Sequence, residues 1–223
     1  MRKSLVILSI CVSVAGVLSS QSVLAADDEV KPAQTTEIKP TIAVGDAQAG
    51  EAASALCAGC HGVEGISELP ENPSLAGQGA PYIFKQLTEF KSGARVNGVM
   101  QGMVAGLSDD DMQNLAAYYA QLPAAEAVSQ AENLDLGRQI YQGGITSIQV
   151  PACAACHAPD GAGNDAAKFP RLGGQRSDYV ALALKNFRSG ARANDAGEMM
   201  RMVAKRMSDE EIDAVANYVQ GLH

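Results

Sequence analysis

Two copies of one short pattern, Cys57-Ala58-Gly59-Cys60-His61 and Cys153-Ala154-Ala155-Cys156-His157, constrain this chain more than any other feature. From its five cysteines and three histidines, about 0.0015 chance matches to C-x-x-C-H are expected, so two matches reflect a chemical requirement. Two thiols one helical turn apart can each add to a vinyl group of one porphyrin, and the histidine that follows reaches the iron as proximal ligand. The pattern therefore predicts two covalently attached c-type haems, carried by Cys57 and Cys60 with His61, and by Cys153 and Cys156 with His157. A single zinc site built from the four cysteines would need much closer spacing and would leave the two histidines unexplained. A thioredoxin-like thiol pair would need a strand-helix setting, and nothing in the chain reads as a βαβ unit.

The chain opens as an exported protein would. Met1-Arg2-Lys3 is basic, Leu5 to Leu18 is an apolar run broken only by small polar residues, and Val23-Leu24-Ala25 offers a cleavage site, so residues 1–25 read as a signal peptide. That run is too short for a comfortable membrane span, and no other stretch approaches the roughly twenty apolar residues a span needs. Cys11 leaves with the signal, and the four remaining cysteines are all committed to haem. A periplasmic location is expected, with no transmembrane helix in the mature chain and with peripheral membrane association left open.

Loss of Arg2 and Lys3 moves the formal charge from -8 to -10, which disfavours nucleic acid as a partner. The charge is uneven. Residues 26–128 hold 14 Asp and Glu against 5 Lys and Arg, whereas residues 129–223 hold 11 against 10. Either solvated surface residues have drifted, or each end faces a different partner.

Laid against itself, the chain repeats. Leu75-Ala76-Gly77-Gln78 matches Leu172-Gly173-Gly174-Gln175, Tyr82 matches Tyr179, Phe90 matches Phe187, and Ser92 to Arg95 matches Ser189 to Arg192. The offset is 96 at the C-x-x-C-H motifs, 97 in the middle block and 100 at Ser108 against Ser208, as duplication followed by loop drift would leave it. Residues 46–122 and 134–223 are the expected modules, joined by a linker over 123–133 that should hold a hinge, and preceded by an acidic, Pro- and Thr-rich tail over 26–45. Modules of this size are small enough for a haem to supply much of the core.

Each module reads as all-α. Asp46 to Cys60 and Leu134 to Gln142 open the modules. Middle helices begin at Pro81 and Ser177, carry apolar residues at Ile83, Leu87, Phe90 and at Val180, Leu184, Phe187, and stop at Gly93 and Gly190. The last helices open with capping boxes, Ser108 with Asp111 and Ser208 with Glu211. No convincing strand is evident.

The sixth iron ligand separates an electron carrier from an enzyme, because an open iron can bind oxygen species whereas a closed one only passes electrons. Two of the three histidines are proximal, and His223 is the chain terminus. Methionine is the remaining soft ligand. With the modules registered on Ser108 and Ser208, only Met100 and Met200 coincide, so these are the expected axial thioethers; Met103, Met112 and Met207 suit core filling. The proximal histidines need an acceptor for their other ring nitrogen, commonly a backbone carbonyl, and Pro73 and Pro170, at matching places before Leu75 and Leu172, are the candidates to supply it.

Together, the two C-x-x-C-H modules, the P-x-L-x-G-Q segments, the repeated S-G-A-R and a Met seven residues before Leu107 or Met207 resemble the dihaem cytochrome c4 family. The resemblance covers nearly everything after Gly45. It implies two tandem class I cytochrome c domains related by a pseudo-twofold axis, with haems facing each other through their propionates. It further implies the axial pairs His61 with Met100 and His157 with Met200, and contact of Arg95 and Arg192 with propionates, against which stands their reading as solvated cations ending a helix. By the same resemblance the partners are redox proteins, an electron donor complex and a terminal haem-copper oxidase. Two alternatives stay open: the cytochrome subunit of a flavoprotein dehydrogenase, such as a sulfide-oxidising complex, and a dihaem peroxidase, against which Met100 and Met200 argue.

Overall fold

The computed structural model describes residues 45–223. The signal peptide expected over 1–25, and all of the expected tail except Gly45, lie outside the described residues. Among those described, the chain is helical, with two isolated bridges, Ile145 with Val150 and Asn164 with Phe169, in place of any strand. No helix there is long and apolar enough to cross a membrane.

The first half is built from α1 (Ala47–Ala53), α2 (Ala55–His61), α3 (Ala80–Ser92), α4 (Gly98–Val104) and α5 (Asp109–Gln121). The second half repeats the plan with α6 (Leu134–Gly143), α7 (Ala154–His157), α8 (Ser177–Ser189), α9 (Met199–Ala204) and α10 (Asp209–Gln220). The helix expected from Asp46 is broken at Ser54, whose hydroxyl turns back 2.8 Å onto the Glu51 carbonyl and competes with the helical ladder. In the second half the break widens into the loop after α6, which the Ile145–Val150 bridge closes.

Helix ends follow the sequence signals closely. Gly93 and Gly190 take the left-handed conformation, at φ 81° and 80°, that ends α3 and α8 at little cost only for glycine. Both capping boxes form in full at the starts of α5 and α10. Two crossings then define the halves. A Cβ on Gly50 of α1 would strike the Asn114 carbonyl of α5, and one on Gly137 of α6 would strike the Ala214 carbonyl of α10, so glycine lets the two backbones touch in both halves.

Each half keeps its own core. Ile83, Leu115, Ala116, Tyr118 and Tyr119 pack together in the first, and Ile140, Tyr141, Val180, Ile212, Val215 and Val219 in the second. Residues 128–132 of the expected linker are hydrogen-bonded to α10. Asn217 Nδ2 donates to the carbonyls of Gln130 and Glu132 at 2.9 Å each, Gln130 N donates to Asn217 Oδ1 at 2.7 Å, and Gln220 Nε2 donates to the Val128 carbonyl at 2.8 Å. Side-chain amides of α10 thus satisfy the linker backbone and fix its course.

Candidate haem sites

Both C-x-x-C-H motifs end a helical turn, α2 closing on His61 and α7 on His157. The two imidazoles are buried, each about 7% exposed. His61 Nδ1 lies 2.8 Å from the Pro73 carbonyl and His157 Nδ1 lies 2.9 Å from that of Pro170. Since a carbonyl can only accept, Nδ1 carries the proton and Nε2 is the nitrogen left to bind a metal. Burial lowers the pKa of both rings and outweighs the opposing effect of the proline hydrogen bonds, favouring the neutral imidazole that a metal requires.

Matching backbone bonds hold the proline segments in place. The Gly65 carbonyl accepts from Leu75 N at 2.7 Å and Ala76 N at 3.0 Å, and the Gly161 carbonyl accepts from Leu172 N at 2.8 Å and Gly173 N at 3.1 Å. Gly77 N then reaches the Tyr119 carbonyl and Gly174 N the Val219 carbonyl, tying each segment to the last helix of its own half.

Met100 and Met200 lie on α4 and α9, short helices that the apolar periodicity did not reveal. Asn97 caps α4, its side-chain oxygen accepting from Met100 N at 3.0 Å, and buried Val104 anchors the helix's far end. Asp195 does the corresponding work for α9, accepting from Arg201 N at 2.9 Å and from Arg201 Nε at 2.7 Å. Met112 and Met207 are buried core residues, as expected. Met103 is not: it is 40% exposed and lies beside Met100 on the rim of a cleft.

That cleft, in the first half, is lined by Cys57, Leu87, Met100, Val104, Leu107 and Leu115 among others. A thiol, a thioether and an apolar wall in one groove, with a neutral imidazole one turn further along the helix that bears the thiol, suit a macrocycle with a metal centre. Burial raises the Cys57 thiol and pushes Cys153 up to about 11, which suits neither thiolate ligation nor a redox nucleophile. Cys60 and Cys156 are exposed. Among the described residues no three His, Cys, Asp or Glu side chains converge into a metal cage.

Arg95 and Arg192 are engaged in the seam between the halves. Each guanidinium lies over a phenyl ring of its own half, Phe90 at 4.5 Å and Phe187 at 4.4 Å. Arg95 Nη2 donates to the Tyr179 hydroxyl at 3.2 Å, and Arg192 Nη2 donates to that of Tyr82 at 2.9 Å. Burial opposes ionisation of Tyr179, but the two guanidiniums outweigh it and lower its pKa. Arg192 moves the opposite way: burial opposes its charge, yet Tyr82 and Tyr179 raise its pKa. Sequence reasoning missed the residue at the middle of this network. Gln86, 6% exposed, accepts on Oε1 from Arg95 Nη1 at 2.8 Å, Asn194 Nδ2 at 2.9 Å and Arg192 Nη2 at 3.2 Å.

Known proteins share the sequence pattern and the fold. The sequence model of the family described as Cytochrome c matches twice, over residues 47–123 and 134–223. The chain is 48% identical over 181 residues to a cytochrome c4 of Thiocapsa roseopersicina, spanning 80% of this chain and 94% of that protein. It is 41% identical over 149 residues to a thiosulfate dehydrogenase electron acceptor of Stutzerimonas stutzeri, spanning 66% and 68%. The crystal structure of reduced recombinant cytochrome c4 from Pseudomonas stutzeri superimposes with a TM-score of 0.78 at 42% identity, covering 80% of this chain and all of that one. Tandem family matches, the paired imidazole sites and the all-helical fold agree, and the chain belongs to the cytochrome c4 family of electron carriers with covalently bound haem c.

Proposed function

We propose that this protein relays single electrons in the periplasm between a donor complex and a terminal haem-copper oxidase. Bound haem supplies an iron that changes by one electron between ferrous and ferric states. Cys57, Cys60, Cys153 and Cys156 would hold the two groups, and His61 with Met100 and His157 with Met200 would supply the ligands to each iron. The observation that carries this reading is the doubled arrangement of a neutral buried imidazole, fixed through Nδ1 by a proline carbonyl, in a half that also bears a methionine on a pinned short helix. A thioether closing the second axial position excludes exogenous ligands and favours a high potential. Arg95 and Arg192, besides holding the seam, would offer positive charge to haem propionates. Export rests on the signal-like residues 1–25.

The test is spectroscopic. Wild-type protein reduced in both halves is expected to be low-spin and unresponsive to carbon monoxide. Met200→Ala should open one haem to carbon monoxide and Met202→Ala should not; the opposite pattern would transfer the ligand role to Met202. A second reading of the donor side is favoured by the relative named as a thiosulfate dehydrogenase electron acceptor: electrons arrive from a dehydrogenase. Stopped-flow reduction of the oxidised protein by such an enzyme distinguishes the two sources.

A further inference from the structure

The peptide group joining Pro73 to Ser74 is bonded at both ends. Its oxygen accepts from His61 Nδ1 at 2.8 Å, and its N–H donates to Gln175 Oε1 of the other half at 2.9 Å. The peptide joining Pro170 to Arg171 has the same environment in mirror order: its oxygen accepts from His157 Nδ1 at 2.9 Å, and its N–H donates to Gln78 Oε1 at 2.8 Å. Each glutamine closes the pairing through its amide nitrogen, Gln175 Nε2 to the Ser74 carbonyl at 2.9 Å and Gln78 Nε2 to the Arg171 carbonyl at 3.0 Å. Gln78, Gln175 and Ser74 are buried and, with Arg171, line a small polar cleft between the halves.

We propose that Gln78 and Gln175 are crossed positioning residues, each setting the orientation and basicity of the proximal histidine in the opposite module. An amide whose N–H is bonded to a good acceptor becomes a better acceptor at its oxygen, because hydrogen bonds in a chain polarise one another. A stronger acceptor at Nδ1 gives the imidazole more anionic character and favours the ferric state of a bound iron. Thus the second module, through Gln175, lowers the potential associated with His61, and the first module, through Gln78, does so for His157. Docking of the halves and tuning of their irons are one event.

This rests on His61 and His157 being the axial ligands, and the two ideas fail separately. If His61 is not a ligand, its ring protons show no hyperfine shift in the oxidised wild-type protein, before any variant is made. With that established, the two potentials are resolved by a proton NMR redox titration of the full-length protein carrying both haems. Gln175→Leu is expected to raise the potential of the haem bound by His61 and leave that of the haem bound by His157 in place. Gln78→Leu is expected to do the reverse. Gln175→Glu, which puts a stronger acceptor against the Ser74 N–H, should take that potential below the wild-type value. Should Gln175→Leu fail to load both haems, the Glu variant still decides the matter through the Nδ1 proton resonance of reduced protein, which should move for His61 alone. Equal shifts in both haems, a shift only in the glutamine's own module, or none at all would overturn the proposal.

Discussion

Arg192 and Tyr82 are bonded across the seam at 2.9 Å, and Arg95 and Tyr179 repeat the contact at 3.2 Å with the modules exchanged. The pair follows a pseudo-twofold relation, but what surrounds it does not. Lys85, Gln86 and Glu89 of α3 reach Asn194 or Arg192 of the second module, whereas the positions offset by 97 are Leu182, Ala183 and Asn186. Those α3 side chains therefore form a polar cluster that α8 does not repeat.

Tyr82→Phe is expected to weaken the protein by about 1 kcal/mol, the usual net value of one hydrogen bond, since Arg192 keeps Gln86 and Asn194 as partners. Chemical denaturation followed by far-ultraviolet circular dichroism checks the value.

Gln86→Ala should cost more, about 2–3 kcal/mol, because three donors lose one acceptor in a partly buried seam. The same denaturation series ranks the two variants, and a smaller loss for Gln86→Ala would show that solvent replaces its oxygen.

Asp195 gives a pH dependence of known sign. Burial opposes its charge, but the Arg201 backbone N–H and guanidinium prevail and hold the carboxyl below its usual pKa. A lowered folded-state value stabilises the fold above the unfolded pKa of about 3.9, and that stabilisation disappears as pH falls through the folded value. The stability advantage of wild type over Asp195→Asn should therefore shrink on going from about pH 6 to about pH 3. Denaturant titrations across that window measure it.

Gly50→Ala and Gly137→Ala each place a methyl group against a backbone carbonyl of the crossing helix. Overpacking of this kind costs about 1–3 kcal/mol or more, which exceeds the helix-propensity gain of about 1 kcal/mol. Both variants are expected to melt earlier than wild type in a thermal scan.

The parts legible in the sequence were those set by local chemistry. Glycine at 93 and 190, the Ser-Asp and Ser-Glu boxes and the apolar spacing of α3 and α8 each act within a few residues, and the helices end where those residues demand. The proline carbonyls were also locatable, since the histidines need an acceptor and the repeat narrows the choice. Helix α4 escaped notice because it is seven residues long and includes Gly98 and Gly102; Asn97 was its one signal. The seam was invisible for a different reason. Gln175 is 101 residues from Ser74 and Gln78 is 93 from Arg171, so P-x-L-x-G-Q reads as a local turn while its last residue serves the distant copy.

The separation of the two apolar clusters has a bearing on assembly. Oil-like burial is completed inside each half, and what joins the halves is a sheet of directional polar bonds, the sort of boundary that separately folded bodies share. Such bonds reward only a partner already in its final shape. Folding that proceeds along the nascent chain would thus finish the amino-terminal body first, let its sibling form beside it, and bring the matched surfaces together last.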